Sequence, residues 1–392
     1  MLPNKKLLIV PMVGGRGLGP IYRSLSLAEV AKKKFDIKFL CNERFMPLVE
    51  KQGFSGWIDV EPSSRGQQGH IIKWDDAAYT MGLCECNFVE KAFLHQLKIV
   101  SDYKPDVIFT EYNLTILLVA LILNIPIVST VNWADAPDFE LPELDCSIKH
   151  IGAINPYNKI LHRYNCGVVY KSISEFVTSV PRLVAPTIYD LQPELDKYGV
   201  LYIGELLNRF VEETSDDEHF EDGNIYVYLT SSDIETEQWL RVVIRELKAI
   251  GRLVYVVSND SVFDSLKTYN EIELCGFEFR NSFPSLSVMK SSGVVVHSGS
   301  ANIISGSLLY GVPSVMIPLS DGERLYNSKN VSRNNCGCLV SESEFFTEGF
   351  LRKTIDEIFC SDMNLSAKLI GEKIRNAGGP VALVNLLMAL SH

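Results

Sequence analysis

Residues 291–327 read SSGVVVHSGSANIISGSLLYGVPSVMIPLSDGERLYN. Val294, Val295 and Val296 form a short apolar run ending at His297, the pattern of a parallel strand buried on both faces. Small residues follow, Ser298-Gly299-Ser300-Ala301-Asn302, and then a helix-length apolar segment through Leu309. Gly311-Val312-Pro313 closes that helix, because glycine just past a helix and proline soon after it form a stop signal. A second strand, Ser314 to Ile317, ends at Pro318, and a polar loop carrying Asp321, Glu323, Arg324 and Asn327 is expected beyond it. Such a unit sets a small-residue loop at the carboxyl end of a strand and the amino end of a helix. The unpaired first N–H groups and the positive dipole end suit that place to an anion, and His297 can add a donor. On physics alone, an ordinary strand-to-helix turn with a structural histidine reads equally well.

The stretch resembles the donor-site signature of nucleotide-sugar glycosyltransferases with the GT-B fold: H-x-G-x-(G/N)-(S/T), a helix, G-V-P, an apolar strand ending in proline, then (D/E)-Q-x-x-N. His297, Gly299, Gly311-Val312-Pro313, Pro318, Glu323 and Asn327 fall in place. The resemblance implies an α/β chain of two Rossmann-like domains facing a central cleft. It implies a nucleotide-sugar co-substrate, with no further cofactor and no metal. His297, Ser298, Gly299, Ser300, Ala301, Asn302, Glu323, Arg324 and Asn327 would bind the donor, together with Thr230 and Ser231, which follow an apolar run from Asn224 to Leu229. Three departures stand out. The segment from His297 to Gly311 is one residue longer than usual. Ser305 or Gly306 replaces the acidic residue that holds the ribose, and Arg324 stands where glutamine is expected, which should favour a donor with an acidic or unusually polar group.

A chain of 392 residues with 46% hydrophobic content has room for two domains with substantial cores. Its net charge of −11 argues against a general nucleic-acid or anionic-membrane surface. The nine cysteines are scattered, and neither close pair, Cys84/Cys86 or Cys336/Cys338, has a histidine at zinc-site spacing, so reduced thiols are expected. The apolar run Leu7–Val10 is too short for a signal sequence, and Ile116–Leu123 is too short to span a bilayer. The expectation is a cytoplasmic protein with no transmembrane segment, and a homodimer is compatible with it.

The amino-terminal half opens with a buried strand, Lys6 to Pro11, a glycine-rich loop through Gly19-Pro20, a helix from Ile21 to Lys34 and a strand from Phe35. The glycine spacing is no dinucleotide fingerprint. It is similar to the amino-terminal motif G-x-G-H-x-x-R-x-x-x-L-A-E of the same glycosyltransferases, with Gly17, Gly19, Arg23, Leu27, Ala28 and Glu29 in register. Pro20 occupies the place of the histidine that serves as general base in many inverting members, and proline cannot titrate. Residues 104–109, KPDVIF, resemble the strand whose end carries an aspartate orienting that histidine; Glu111 falls there. A strand-end carboxylate that caps the next helix is the plainer alternative. His70, in a polar glycine-flanked loop, is the best spare imidazole, although a solvated histidine is the simpler reading there. Three routes stay open: Glu111 as a base raised by partial burial, His70 as the base, or an acceptor needing little base help. Residues 47–66 read as loop-rich. Gly17, Gly19, Pro20, Trp133 and Asp135 are expected on the acceptor side, where Trp133 could equally be packing.

The expected division is an acceptor-binding domain over residues 1–205, an acidic linker over 206–223, a donor-binding domain over 224–376, and a last helix over 377–392 packing back on the first domain. In the second half, Asn224 to Leu229 reads as its opening strand, and Thr230, Ser231 and Ser232 either face a diphosphate or cap the helix that follows. The function expected from the resemblance is inverting, metal-independent transfer of a sugar from a UDP or dTDP donor to a hydroxyl or amine. The alternatives are a nucleotide-sugar hydrolase or epimerase on the same fold, and a non-catalytic partner protein.

Overall fold

The structure is a computed structural model and describes residues 5–13, 18–65, 71–141, 152–207, 219–229, 235–318 and 321–391. The chain divides into two compact units, Met1–Val211 with Ala377–His392, and Glu212–Asn376. Each is a parallel sheet between helices, the outcome expected of buried valine- and isoleucine-rich strands alternating with helical segments.

In the first unit the strands are β1 (Lys5–Val10), β2 (Phe35–Cys41), β3 (Ser55–Ile58), β4 (Val107–Thr110), β5 (Ile127–Thr130), β6 (Leu183–Ala185) and β7 (Leu201–Tyr202). Their order is β3-β2-β1-β4-β5-β6-β7, and the pairings are parallel. The order reverses direction at β1, so the carboxyl ends of β1 and β4 form the switch point of this sheet. Residues 47–66 differ from the loop-rich expectation: Met46–Lys51 is a helix and β3 pairs with β2. A strand of four residues with one glycine has too little alternation to read from sequence. The last helix, Gly379–Leu390, buries Leu383, Val384 and Leu387 in the same core as Leu7, Ile9 and Phe109.

In the second unit the strands are β8 (Asn224–Tyr228), β9 (Val254–Val257), β10 (Phe277–Arg280), β11 (Ser292–His297), β12 (Ser314–Met316) and β13 (Gly337–Leu339). They follow the order β10-β9-β8-β11-β12-β13, again parallel. Here β8 and β11 are the central pair, and His297 lies opposite Tyr228 at the carboxyl end of that pair. Among the described residues, no helix is long and apolar enough to cross a membrane.

Candidate functional site

His297 is the last residue of β11 and is wholly buried. Its Nδ1 accepts the backbone N–H of Gly299 at 2.9 Å, so the neutral ring carries its proton on Nε2. Nε2 is buried and has no hydrogen-bond partner among the described residues. Burial, reinforced by the nearby charge of Arg324, pushes the imidazole down to about 3. Near neutral pH this ring is therefore a neutral hydrogen-bond donor.

Gly299 makes the turn after the strand with φ +88, and a Cβ there would lie 2.5 Å from Ser328 Oγ and 2.9 Å from the Arg324 carbonyl oxygen. Only glycine fits such a position without shifting its neighbours. The loop therefore rests directly on the first turns of the helix Gly322–Arg333. A second helix, Ala301–Leu309, begins at the same loop with Ser300 as its N-cap, and the Ser300 side chain makes no capping bond. Two helix amino termini meet beside His297, with buried Ser328 Oγ also lacking a partner among the described residues. The chemistry of that arrangement suits an anion: N–H groups, a neutral imidazole donor and a hydroxyl.

The expected polar loop around Asp321 is instead the start of the helix Gly322–Arg333. Asp321 Oδ1 accepts the Arg324 N–H at 3.0 Å, an N-cap strong enough to start a helix in a segment with little apolar periodicity. Glu323, Arg324 and Asn327 thus stand on one helix, and Asn327 Nδ2 reaches Glu323 Oε1 at 3.5 Å. The Arg324 guanidinium turns back over the loop, with Nη1 donating to Ser298 Oγ at 3.2 Å and Nε 3.5 Å from Asp321 Oδ2. Of the two candidates for the missing acidic residue, Gly306 faces Met289, whose Sδ would lie 2.9 Å from an added Cβ, so a side chain at 306 would have to displace the Met289 side chain. Thr230 and Ser231 lie outside the described residues.

In the first unit, Glu111 follows β4 at the sheet's switch point and is wholly buried, deeper than the partly buried base expected from sequence. Arg23, on the helix Gly19–Ala31, donates to its Oε2 through Nε at 2.9 Å and Nη2 at 2.5 Å. Burial raises the Glu111 carboxyl, and Arg23 opposes that rise. Oε1 has no partner among the described residues. Pro20 sits in the first turn of the same helix, where its missing N–H costs nothing. Tyr112, next along the chain, holds φ 59, a left-handed conformation rare for an aromatic residue and a form of strain that collects at functional sites. Its hydroxyl accepts from Asn132 Nδ2 at 3.1 Å.

Beside this pair lies a buried polar network that the sequence did not reveal. Asp59 Oδ2 accepts from Gln96 Nε2 at 2.8 Å and from Asn113 Nδ2 at 3.0 Å, while Oδ1 accepts the Val60 N–H at 2.8 Å. Burial nevertheless pushes the Asp59 carboxyl up to about 6. The Trp133 ring is buried against Phe139 and Tyr198, and the Trp133 backbone N–H donates to Gln192 Oε1 at 2.9 Å. Asp135 folds back on the Asn132 N–H at 2.7 Å. Gly19 begins the helix that carries Pro20 and Arg23. Gly17 and His70 lie outside the described residues. The missed partner of Glu111 was signalled by one feature: an arginine between Ile21 and Leu25 on the buried face of a helix requires a counter-charge.

No family model matches the chain. It is 24% identical over 203 residues to the uncharacterized UDP-glucosyltransferase YdhE of Bacillus subtilis (strain 168), a match that takes in 50% of each protein. The matched stretch thus spans about half the length of that curated relative. Solved structures match over the whole length. The glycotransferase of kitacinnamycin superposes with a TM-score of 0.77 at 16% identity, covering 100% of both chains. CalG4, the calicheamicin glycosyltransferase, gives 0.74 at 15%, covering 99% of this chain and 98% of the other. The spinosyn rhamnosyltransferase SpnG complexed with thymidine diphosphate gives 0.68 at 11%, covering 98% and 100%. The chain has the GT-B fold of these glycosyltransferases.

Proposed function

We propose that the protein is a glycosyltransferase that moves a sugar from a UDP or dTDP donor to a hydroxyl or amine acceptor with inversion at the anomeric carbon and without a metal ion. The observation that carries this reading is His297: a buried, neutral imidazole whose Nε2–H has no partner among the described residues, set where two helix amino termini meet. In the reaction the acceptor heteroatom bonds to the anomeric carbon as the bond from that carbon to the β-phosphate oxygen breaks. The diphosphate leaves with the electron pair, and its growing charge is what preorganised N–H donors stabilise without rearrangement. Glu323 and Asn327, on one helix face, would accept and donate hydrogen bonds to sugar hydroxyls. One structural neighbour, the spinosyn rhamnosyltransferase SpnG, is complexed with thymidine diphosphate, which supports a nucleoside diphosphate as the ligand class.

The acceptor's proton needs a destination, and Pro20 supplies none. Glu111 is the proposed base through Oε1, with His70 as the rival. General-base help contributes about 10²–10⁴-fold, so Glu111→Gln at unchanged donor affinity should lose that much turnover, whereas His70→Ala should not. The reverse pattern would assign the base to His70, and normal turnover in both would mean that the acceptor needs no base.

A second reading, a non-catalytic partner of an active transferase, is favoured by Pro20 together with the ion pair that already occupies Glu111 Oε2. Thermal shift with UDP and dTDP, followed by product mass spectrometry with candidate acceptors, separates the two. Nucleotide-dependent stabilisation that His297→Ala abolishes, with a glycosylated product, supports the transferase. Stabilisation without a product from any acceptor supports the partner, and unaltered affinity in His297→Ala puts the anion site elsewhere.

A further inference from the structure

We propose that Arg324 recognises the donor's diphosphate, so that this chain selects donors by phosphate charge rather than by the sugar's hydroxyl pattern. The inference rests on the donor reading above and reassigns Arg324, which its position beside Glu323 would otherwise make a sugar contact. Three observations carry it. The guanidinium lies back on the loop after His297, with Nη1 on Ser298 Oγ at 3.2 Å. Its charge is felt at His297, where it adds to burial in disfavouring the imidazolium. Two buried polar atoms without partners among the described residues flank that loop, His297 Nε2 at the end of β11 and Ser328 Oγ on the helix Gly322–Arg333, the latter directly beneath Gly299.

A glutamine at this place could read a hydroxyl through a neutral amide. A guanidinium offers a permanently charged fork that matches phosphate oxygens, and its bonds to them are charge-assisted. The carboxylate of Asp321 is its counter-charge, 3.5 Å from Nε, and that pair is partly exposed to solvent. Such a pair holds weakly. A diphosphate at the loop competes for the guanidinium on favourable terms, because the imidazole donor and the helix N–H groups bind it at the same time. The consequence is a site that discriminates strongly among nucleoside, monophosphate and diphosphate and weakly among sugars.

The test is calorimetric titration of the full chain with uridine, UMP, UDP and inorganic pyrophosphate, in wild type, Arg324→Gln and Arg324→Lys, with circular dichroism confirming folded variants. Loss of one charge-assisted bond predicts that Arg324→Gln weakens UDP and pyrophosphate by about 10- to 100-fold and leaves uridine unchanged. Arg324→Lys should recover part of the loss, and wild-type UDP affinity should fall more steeply with salt than that of Arg324→Gln. Unchanged UDP affinity in Arg324→Gln, with a shifted preference among UDP-sugars, overturns this inference and leaves the transferase reading intact. Pyrophosphate binding that depends on Arg324, without UDP or dTDP binding, supports the anion role and overturns the nucleotide reading. Binding of none of these probes by wild type overturns both.

Discussion

Arg23 and Glu111, 88 residues apart, form a buried ion pair in which both Nε and Nη2 of the guanidinium donate to one carboxylate oxygen. The pair joins the first helix of the chain to the carboxyl end of β4, at the switch point of the first sheet. Removing one partner of such a pair leaves a charge stranded in the core, which costs about 3–5 kcal/mol, whereas apolar replacement of both is often neutral. Glu111→Gln and Arg23→Met should therefore each lower the urea midpoint strongly, and Arg23→Met with Glu111→Met should be less damaging than the sum. Additive losses in that double-mutant cycle would mean that the pair contributes no coupling.

His297 makes stability depend on acid. Its folded pKa is about 3 against an ordinary 6.5, so between those values the unfolded chain binds one more proton than the folded one. Stability is then lost as pH falls from 6.5 toward 3, by about 1.4 kcal/mol per pH unit. His297→Asn, which keeps an acceptor for the Gly299 N–H, should remove this contribution, so the stability difference between wild type and variant in urea unfolding should change by that amount per pH unit across pH 4–6.5, whatever other groups add to both profiles. A difference that stays constant with pH would assign the acid sensitivity to other groups.

Asp59 acts with the opposite sign. Its carboxyl is raised to about 6 from 3.8, so in that window the folded chain holds the extra proton. Its contribution declines as pH rises from about 4 to about 6, by about 3 kcal/mol at most, and is level above. Asp59→Asn should lack this decline. A wild-type profile indistinguishable from that of the variant between pH 4 and 6 would show that the three donors outweigh burial.

The helix Ala301–Leu309 is seated by the helix Met363–Asn376 at Gly371, where an added Cβ would come within 2.1 Å of the Leu308 carbonyl oxygen. Gly371→Ala must push these helices apart, at a cost of about 1–3 kcal/mol by the usual penalty for overpacking. Nucleotide-induced stabilisation should fall with it, because the loop beside His297 is the start of the displaced helix. Full stability in Gly371→Ala would contradict the close approach.

The sequence by itself determined the fold class and the place of the small-residue loop after His297. Valine runs such as Val294–Val296, the small residues after His297 and the Gly311-Val312-Pro313 stop are local signals, legible because strand burial and helix termination act over a few neighbouring residues. Short elements were less legible. The strand β3, four residues with a glycine, and the helix after Asp321 lack apolar periodicity, and only a neighbouring strand or an N-cap bond brings each into being. What only the tertiary structure decided is where the charged and polar side chains go. Arg23 finding Glu111, Asp59 gathering Gln96 and Asn113, and Arg324 lying back on Ser298 are pairings between segments distant in sequence. The buried helix face around Arg23 signals that a counter-charge is needed, but the local pattern names none of these partners, because they follow from which strand ends and helix faces the packed core brings together, and from the cost of leaving a charge there alone.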